Sequence, residues 1–347
     1  MSRLSVVVPV YNVEGYIDRC LGSLREQTLE DIEVICVNDG STDGSAARLA
    51  DWASRDGRIR IIDKTNGGLS SARNAGIDAA SSPLVCFLDS DDRLVPNACE
   101  RIVSCFEEDD PDVVTFGATC VPPEKATPWI VEALSPRDAF YPSFDERILF
   151  EEKSRPFAWR TACRCDFLLE SGIRFDEGVR FGEDQVFHFA VYPRARGVRL
   201  CSDKLYEYEV ARPGSLMDRL KDDLHQKLLE HVNIVDHILA DWERGGLLAL
   251  CPEGLVCFIA DFALYDALKL SDGEYREVAD ALRDVLFSYW IRDGLAAVEL
   301  PPSVRKMLVG ACLDGHMPAA KRRMLVLEYY THLHGVLGTA KKLISKV

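Results

Sequence analysis

The chain has 347 residues, of which 47% are hydrophobic and 28% charged, and a formal charge of −15. That length accommodates one large domain or two ordinary ones, and the composition is globular rather than disordered. The acidic balance excludes general binding of nucleic acid, whose phosphates it repels.

Twelve cysteines are scattered from Cys20 to Cys312, several inside apolar runs such as those around Cys36 and Cys86. The Cys163/Cys165 spacing suits neither a zinc site nor a redox pair, so reduced core thiols in a cytoplasmic protein are expected. Met1-Ser2-Arg3 runs straight into a strand, which leaves no room for a signal peptide. No apolar stretch approaches the ~20 residues of a membrane span.

In chain order, Leu4–Val10 is a short, almost wholly apolar run, the mark of a strand buried on both faces. Ile17, Cys20, Leu21 and Leu24 then repeat at helical spacing. Strands are expected at 32–37, 58–62, 84–88 and 113–116, with helices at 46–53 and 69–79 and after Pro96. Alternation of this kind predicts a mostly parallel central sheet flanked by helices, with the ligand at the carboxyl ends of its strands. Five prolines from Pro122 to Pro142 predict excursions over one face of the sheet between 121 and 157. A helix is expected over 158–170 and another opening at Gly182-Glu183-Asp184. Val198–Cys201 and Leu205–Tyr208 read as edge or hairpin strands. From about 217 onward the pattern is helix only, at 218–243, 253–270, 274–292, 303–313 and 318–345. Two domains follow: residues 1–216 and an all-helical 217–347.

Two nucleotide motifs are absent. There is no G-x-x-x-x-G-K-[ST], and the first turn, Pro9-Val10-Tyr11-Asn12, lacks the glycines of a dinucleotide fingerprint. Acid-rich turns stand at the strand ends instead. Leu88-Asp89-Ser90-Asp91-Asp92 sets three carboxylates within four residues, which repel unless a cation lies among them. Hard oxygen ligands of this kind suit Mg²⁺ or Mn²⁺ shared with substrate phosphates. Asn66 to Gly76 reads as a turn feeding a helix start, an anion site from which Arg73 can reach a diphosphate. Glu183 and Asp184 sit at a helix start, where the dipole keeps a general base ionised. Taken singly, each of these acids also reads as a helix cap.

Together the motifs resemble the family 2 inverting glycosyltransferases of GT-A fold, bacterial polysaccharide or glycoconjugate type. The matching segments are Val7–Asn12, Val37–Asp43, Asn66–Ser70, Ala72–Gly76, Leu88–Asp92 and Gly182–Asp184, and the resemblance covers roughly residues 3–215. It implies a metal-dependent transfer from a nucleotide-diphosphate sugar, UDP-linked by analogy, to an acceptor hydroxyl on a sugar or lipid-linked sugar. It further implies that Pro9, Tyr11, Asn12, Glu14, Asp39, Asn66, Arg73, Asp89 and Ser90 bind the nucleotide sugar. Asp91 would hold Mn²⁺ or Mg²⁺, with Asp89 and Asp92 the alternative ligands, and Asp184 would be the base, with Glu183 beside it. Trp159 falls where relatives carry an aromatic near the acceptor, although buried packing also suits it. Arg212 and Ser215 fall where relatives have a loop that closes over the diphosphate; the histidine common there is missing.

Six Lys/Arg between Lys321 and Lys346, against the single acid Glu328, flank Val326, Leu327, Tyr330, Leu333, Leu337 and Leu343. This pattern suits either a basic face on a packed helix or peripheral contact with the inner face of a cell membrane, and self-association of the helices is a further expectation. Two rivals stand beside the transferase: a sugar-1-phosphate nucleotidyltransferase, which needs a Gly/Lys-rich first loop absent here, and a non-catalytic sugar-nucleotide-binding subunit.

Overall fold

The computed structural model describes residues 2–210, 223–290, 292–313 and 317–344, with backbone alone at 292–293, 313, 334 and 336–344. The chain divides into two compact units, Met1–Pro213 and Gly214–Val347. The expected boundary at 216/217 lies outside the described residues.

The first unit is built on one sheet. Strand β1 (Leu4–Val10) is buried along its whole length and pairs in parallel with β2 (Ile32–Asn38) and β4 (Leu84–Phe87). Strand β3 (Ile59–Asp63) adds in parallel to β2. Helices α1 (Ile17–Arg25), α2 (Ser45–Arg55), α3 (Leu69–Ala79) and α4 (Ala98–Asp109) connect and cover these strands. Each apolar run predicted as a strand up to residue 88 is one, because residues buried on both faces need no alternation. The register sets Val10 opposite Asn38, so the loops after β1 and β2 leave the same edge of the sheet. The acid-rich loop after β4 leaves that edge too.

Beyond residue 110 the sequence reading needs correction. Residues 158–170 are not one helix. A 3₁₀ turn, Ala158–Arg160, leads into strand β8 (Thr161–Arg164) and then a short helix α7 (Cys165–Glu170). Strand β8 runs antiparallel between β4 and β6 (Val113–Val121). Thr161, Ala162 and Cys163 are all buried; small side chains let a strand fit there, and a four-residue stretch carries no period that separates strand from helix. The two pieces at 198–208 are one strand, β9 (Val198–Glu209). It lies inside the sheet, parallel to β6 on one side and antiparallel to β5 (Arg93–Leu94) and β7 (Ala139–Tyr141) on the other. The polar Ser202-Asp203 between the two pieces falls where the β6–β9 register slips between Phe116 and Ala118. The proline-rich stretch supplies α5 (Pro128–Ala133), β7 and α6 (Glu146–Phe150). Helix α8 (Glu183–Val191) starts where expected, after Gly182 in the left-handed region (φ 73). The sheet order is β3-β2-β1-β4-β8-β6-β9-β5, with β7 on β9.

The second unit is helical, with its longest segments at Leu224–Arg244, Asp272–Tyr289 and Ala319–Ile344. Asp223 caps the first, accepting a hydrogen bond from Gln226 N–H at 2.9 Å. Ser271 and Glu274 form a capping box on the second. Among the described residues no helix is long and apolar enough to cross a membrane. The basic stripe of the last helix is not a uniform surface. Arg322 is buried, donates to the Leu270 carbonyl at 2.8 Å, pairs with Asp272 and lies over the Tyr275 ring.

Helix α3 approaches β1 through Gly76, where an added Cβ would come within 2.2 Å of a Val7 methyl and 3.0 Å of its Cβ. Gly76→Ala is therefore expected to lower stability by about 1–3 kcal/mol, the usual range for overpacking. The reading is a lower urea midpoint at unchanged slope; an unchanged midpoint would mean that the helix does not need this close approach.

Candidate active site

The loops at the carboxyl edge are stitched to one another by side chains. Asn12, itself at φ 52, accepts from Thr42 N–H at 2.8 Å, and its own N–H donates to Ser41 Oγ at 3.3 Å. Glu14 accepts from Gly44 N–H at 2.7 Å, and its N–H donates to Asp43 at 3.1 Å. Asp39 is buried and gathers the next loop: its carboxylate accepts from Lys64 Nζ (2.7 Å), Gly67 N–H (2.9 Å) and Gly68 N–H (2.8 Å). Pro9 is buried within β1, whereas Tyr11 and Asn66 are exposed beside these loops. Of the residues expected at the nucleotide, Asn12, Glu14 and Asp39 thus shape the walls through hydrogen bonds, and Tyr11 and Asn66 present open side chains.

Arg73, expected to reach a diphosphate from the start of α3, has a side chain only 2% exposed that is bonded to two carboxylates. Nη2 donates to Asp89 at 2.8 Å and Nη1 donates to Glu183 at 2.9 Å, with the guanidinium 5.0 Å from the centre of the Phe175 ring. Burial opposes the charge on Arg73, but Asp89 and Glu183 outweigh it and raise its pKa. Burial also pushes Glu183 up to about 7, against the pull of Arg73 and with a further push from Asp184. Asp184 is raised above the ordinary carboxylate range, again by burial first. Its two oxygens accept from Phe157 N–H and from Gln185 N–H, each at 2.8 Å.

The three acids after β4 have separate tasks. Asp92 is 1% exposed, accepting from the Tyr206 hydroxyl and from Glu209 N–H, both at 2.7 Å. Burial, then the neighbouring Asp91 and Asp89, lifts its pKa well above the ordinary value. It pins the loop to β9, and both of its oxygens are occupied in doing so. Asp89 is the partner of Arg73. The backbone carbonyl of Asp91 is held by Arg19 at 2.8 Å, and Arg19 also pairs with Glu209 at 2.9 Å; the Asp91 carboxylate sits in a partly exposed position. Ser90 between them is buried. Among the described residues no three His, Cys, Asp or Glu side chains converge on one point as a metal cage. A hard divalent cation needs no such cage when one or two carboxylates and substrate oxygens complete its shell, and the donors present, carboxylate oxygens at the mouth of the site, are of the right chemistry.

Trp159 is buried, stacked on Tyr206 with centroids 4.0 Å apart and on Tyr208 at 5.3 Å. It supports β9 rather than presenting a free face. Arg212 and Ser215 lie outside the described residues. Sequence reasoning missed Tyr206, Glu209, Arg19 and Phe157, which have no motif of their own and matter through partners far along the chain.

Residues 5–167 match the model of the family described as Glycosyl transferase family 2. This segment, just under half of the chain, is a domain of that family. It is 29% identical over 351 residues to "Uncharacterized glycosyltransferase EpsJ" of Bacillus subtilis (strain 168), covering 98% of both chains. It is 31% identical over 219 residues to "Poly(ribitol-phosphate) beta-glucosyltransferase" of Bacillus spizizenii, covering 62% of this chain and 33% of that protein. The fold is that of S. aureus TarS 1-349, solved in complex with UDP-GlcNAc: TM-score 0.74 at 22% identity, covering 95% of this chain and 92% of that one. The architecture is therefore the GT-A fold, and the protein is a glycosyltransferase.

In this family 2 enzyme the Asp89–Arg73–Glu183 bridge makes a sharp prediction. Arg73→Met leaves the buried Glu183 and the part-buried Asp89 without their cation and is expected to cost about 3–5 kcal/mol at pH 8. Glu183 has a folded pKa of about 7 against an ordinary 4.5. The folded state thus binds a proton there that the unfolded chain releases, and stability falls as pH rises through that window. Without Arg73 the window moves higher still, so the deficit should shrink as pH is lowered from 8 to 6. Denaturant melts at several pH values check this; a deficit independent of pH would contradict it.

Proposed function

We propose that this enzyme transfers a sugar, with inversion, from a UDP-linked donor to a hydroxyl of a growing cell-surface polysaccharide or related glycoconjugate. Asp184 is the general base, and Asp91 holds Mn²⁺ or Mg²⁺ at the donor. One observation carries the reading: Arg73 bonds Asp89, on the acid-rich loop, and Glu183, next to Asp184, through the same guanidinium. A donor lying along that loop then has its sugar close to Asp184. The UDP-GlcNAc complex of TarS and the name of the poly(ribitol-phosphate) relative support the donor and acceptor classes.

The acceptor oxygen attacks the anomeric carbon from the face opposite the diphosphate. As the new C–O bond forms, the bond to the diphosphate oxygen breaks, and the hydroxyl proton passes to Asp184. A carboxylate whose pKa is raised by burial is a stronger base than one in water, and a positioned base contributes roughly 10²–10⁴-fold. A divalent cation on Asp91 supplies charge neutralisation for the departing nucleoside diphosphate. Arg73 acts indirectly, keeping Asp89 oriented, and Asp92 keeps the loop on β9. Tyr11 and Asn66, exposed at the mouth, are available to the nucleotide, with Asp39 beneath them. Exposed Met324, Leu327 and Leu333 beside Lys321 and Arg323 support peripheral contact of the last helix with an anionic membrane surface.

Release of UDP from UDP-GlcNAc in Mn²⁺ is expected to fall about 10²–10⁴-fold in Asp184→Asn, with the donor still raising the melting temperature by mass action. Asp91→Asn is expected to lose the Mn²⁺-dependent part of that rise. Turnover unchanged in Asp184→Asn would remove it as the base.

A further inference from the structure

The segment from Lys153 to Phe157 is an unusual support for a catalytic site. Two of its residues, Lys153 at φ 55 and Phe157 at φ 78, occupy the left-handed region without being glycine. Such conformations persist where the surroundings over-determine them. Here the surroundings converge on Arg160, which is fully buried. Its Nε donates to the Pro156 carbonyl at 3.2 Å; its Nη2 donates to the Lys153 carbonyl and, at 3.5 Å, to that of Arg155. Among the described residues its hydrogen-bond partners are main-chain carbonyls rather than a carboxylate, and Nη1 has none. A buried cation left in this state is costly, so its retention calls for a compensating role.

The loop is fixed at other points as well. Arg155 Nε donates to the Leu149 carbonyl at 2.5 Å and Nη1 donates to Gln185 at 2.7 Å, while the Tyr192 hydroxyl donates to the Ser154 carbonyl at 3.0 Å. At its far end, Phe157 N–H meets Asp184 Oδ2 at 2.8 Å.

We infer that Arg160 is a positioning residue for glycosyl transfer: by gripping three carbonyls of the 153–157 loop it fixes Phe157 N–H on one oxygen of Asp184 and so aims that carboxylate at the acceptor hydroxyl. The inference rests on Asp184 being the base. Gln185 N–H holds the other oxygen, so the rotation of the carboxylate is set from both sides, with lone pairs left for the incoming proton. Aspartate bonded in this way favours its ionised form, and slackening the loop weakens that preference.

The charged groups that act on Asp184 are Arg73 from α3, Asp89 from the loop after β4, Glu183 on its own helix and Arg160 itself. Arg160→Lys keeps the last charge while replacing the planar fork by a single ammonium, which separates hydrogen-bond geometry from charge. In the full chain labelled with ¹³C at Asp side-chain carboxyls, with Asp184→Asn to assign the resonance, the pKa of Asp184 is expected to rise by about 1 in Arg160→Lys. Arg160→Met should raise it further. If Asp184 titrates as in the wild type in Arg160→Lys, including the case where only Arg160→Met moves it, the positioning role is overturned. Should the lysine variant not fold, the wild type decides: Phe157 N–H is expected to resist hydrogen exchange and to follow the titration of Asp184, and exchange at the rate of an unprotected amide overturns the inference. None of these measurements needs a donor, so their failure leaves the base assignment standing; that falls only if Asp184→Asn keeps its turnover.

Discussion

The site depends on one buried guanidinium held between two carboxylates. Taking Arg73 and Glu183 out of water costs several kcal/mol each, and the part-buried Asp89 adds a smaller penalty. Two charge-assisted hydrogen bonds, at 2.8 and 2.9 Å, offset that cost only while all three groups stay in register. The loop after β4 and the start of α8 are therefore coupled through α3, although they lie far apart in sequence. Around this bridge Asp92 and Tyr206 tie the loop to β9, and Phe157 ties the 153–157 segment to Asp184. What looks like a surplus of acid is a set of carboxylates with distinct partners.

That division of labour narrows the chemistry. Asp92 is buried and ties the loop to β9 through both oxygens, Asp89 is bonded to Arg73, and Asp91 is the partly exposed acid to which the proposed function gives the cation. Asp184 differs from Glu183 in the same way. Glu183 faces Arg73 and holds the bridge, whereas Asp184, among the described residues, accepts from the backbone N–H groups of Phe157 and Gln185, a setting compatible with taking up a proton and giving it back.

Much of this was legible in the sequence, and the reason is local. Strands β1, β2 and β4 are mostly buried on both faces and announce themselves as apolar runs; α1 was marked by its helical spacing and α3 by the turn before it. The acids of the 88–92 loop and of Gly182-Glu183-Asp184 stood out by density. What the sequence did not disclose shares a different cause. The tasks of Arg73 and Asp92 are set by Glu183 and Tyr206, 110 and 114 residues away, and no local pattern encodes such a partner. Strand β8 was read as helix because a short buried stretch has no period, and Trp159 was open to two readings until its stacking on Tyr206 showed where it is packed. Phe157, in a left-handed conformation that aromatic residues rarely adopt, gave no sequence signal at all.

A crystal structure of the enzyme with UDP and Mn²⁺ tests the central claim most directly. The account predicts the cation on the Asp91 carboxylate, Arg73 still bonded to Asp89 and Glu183, and the open space beyond the β-phosphate bordered by Asp184. An Arg73 guanidinium swung onto the diphosphate, or a cation bound by Asp92 in place of its bonds to Tyr206 and Glu209, would contradict it.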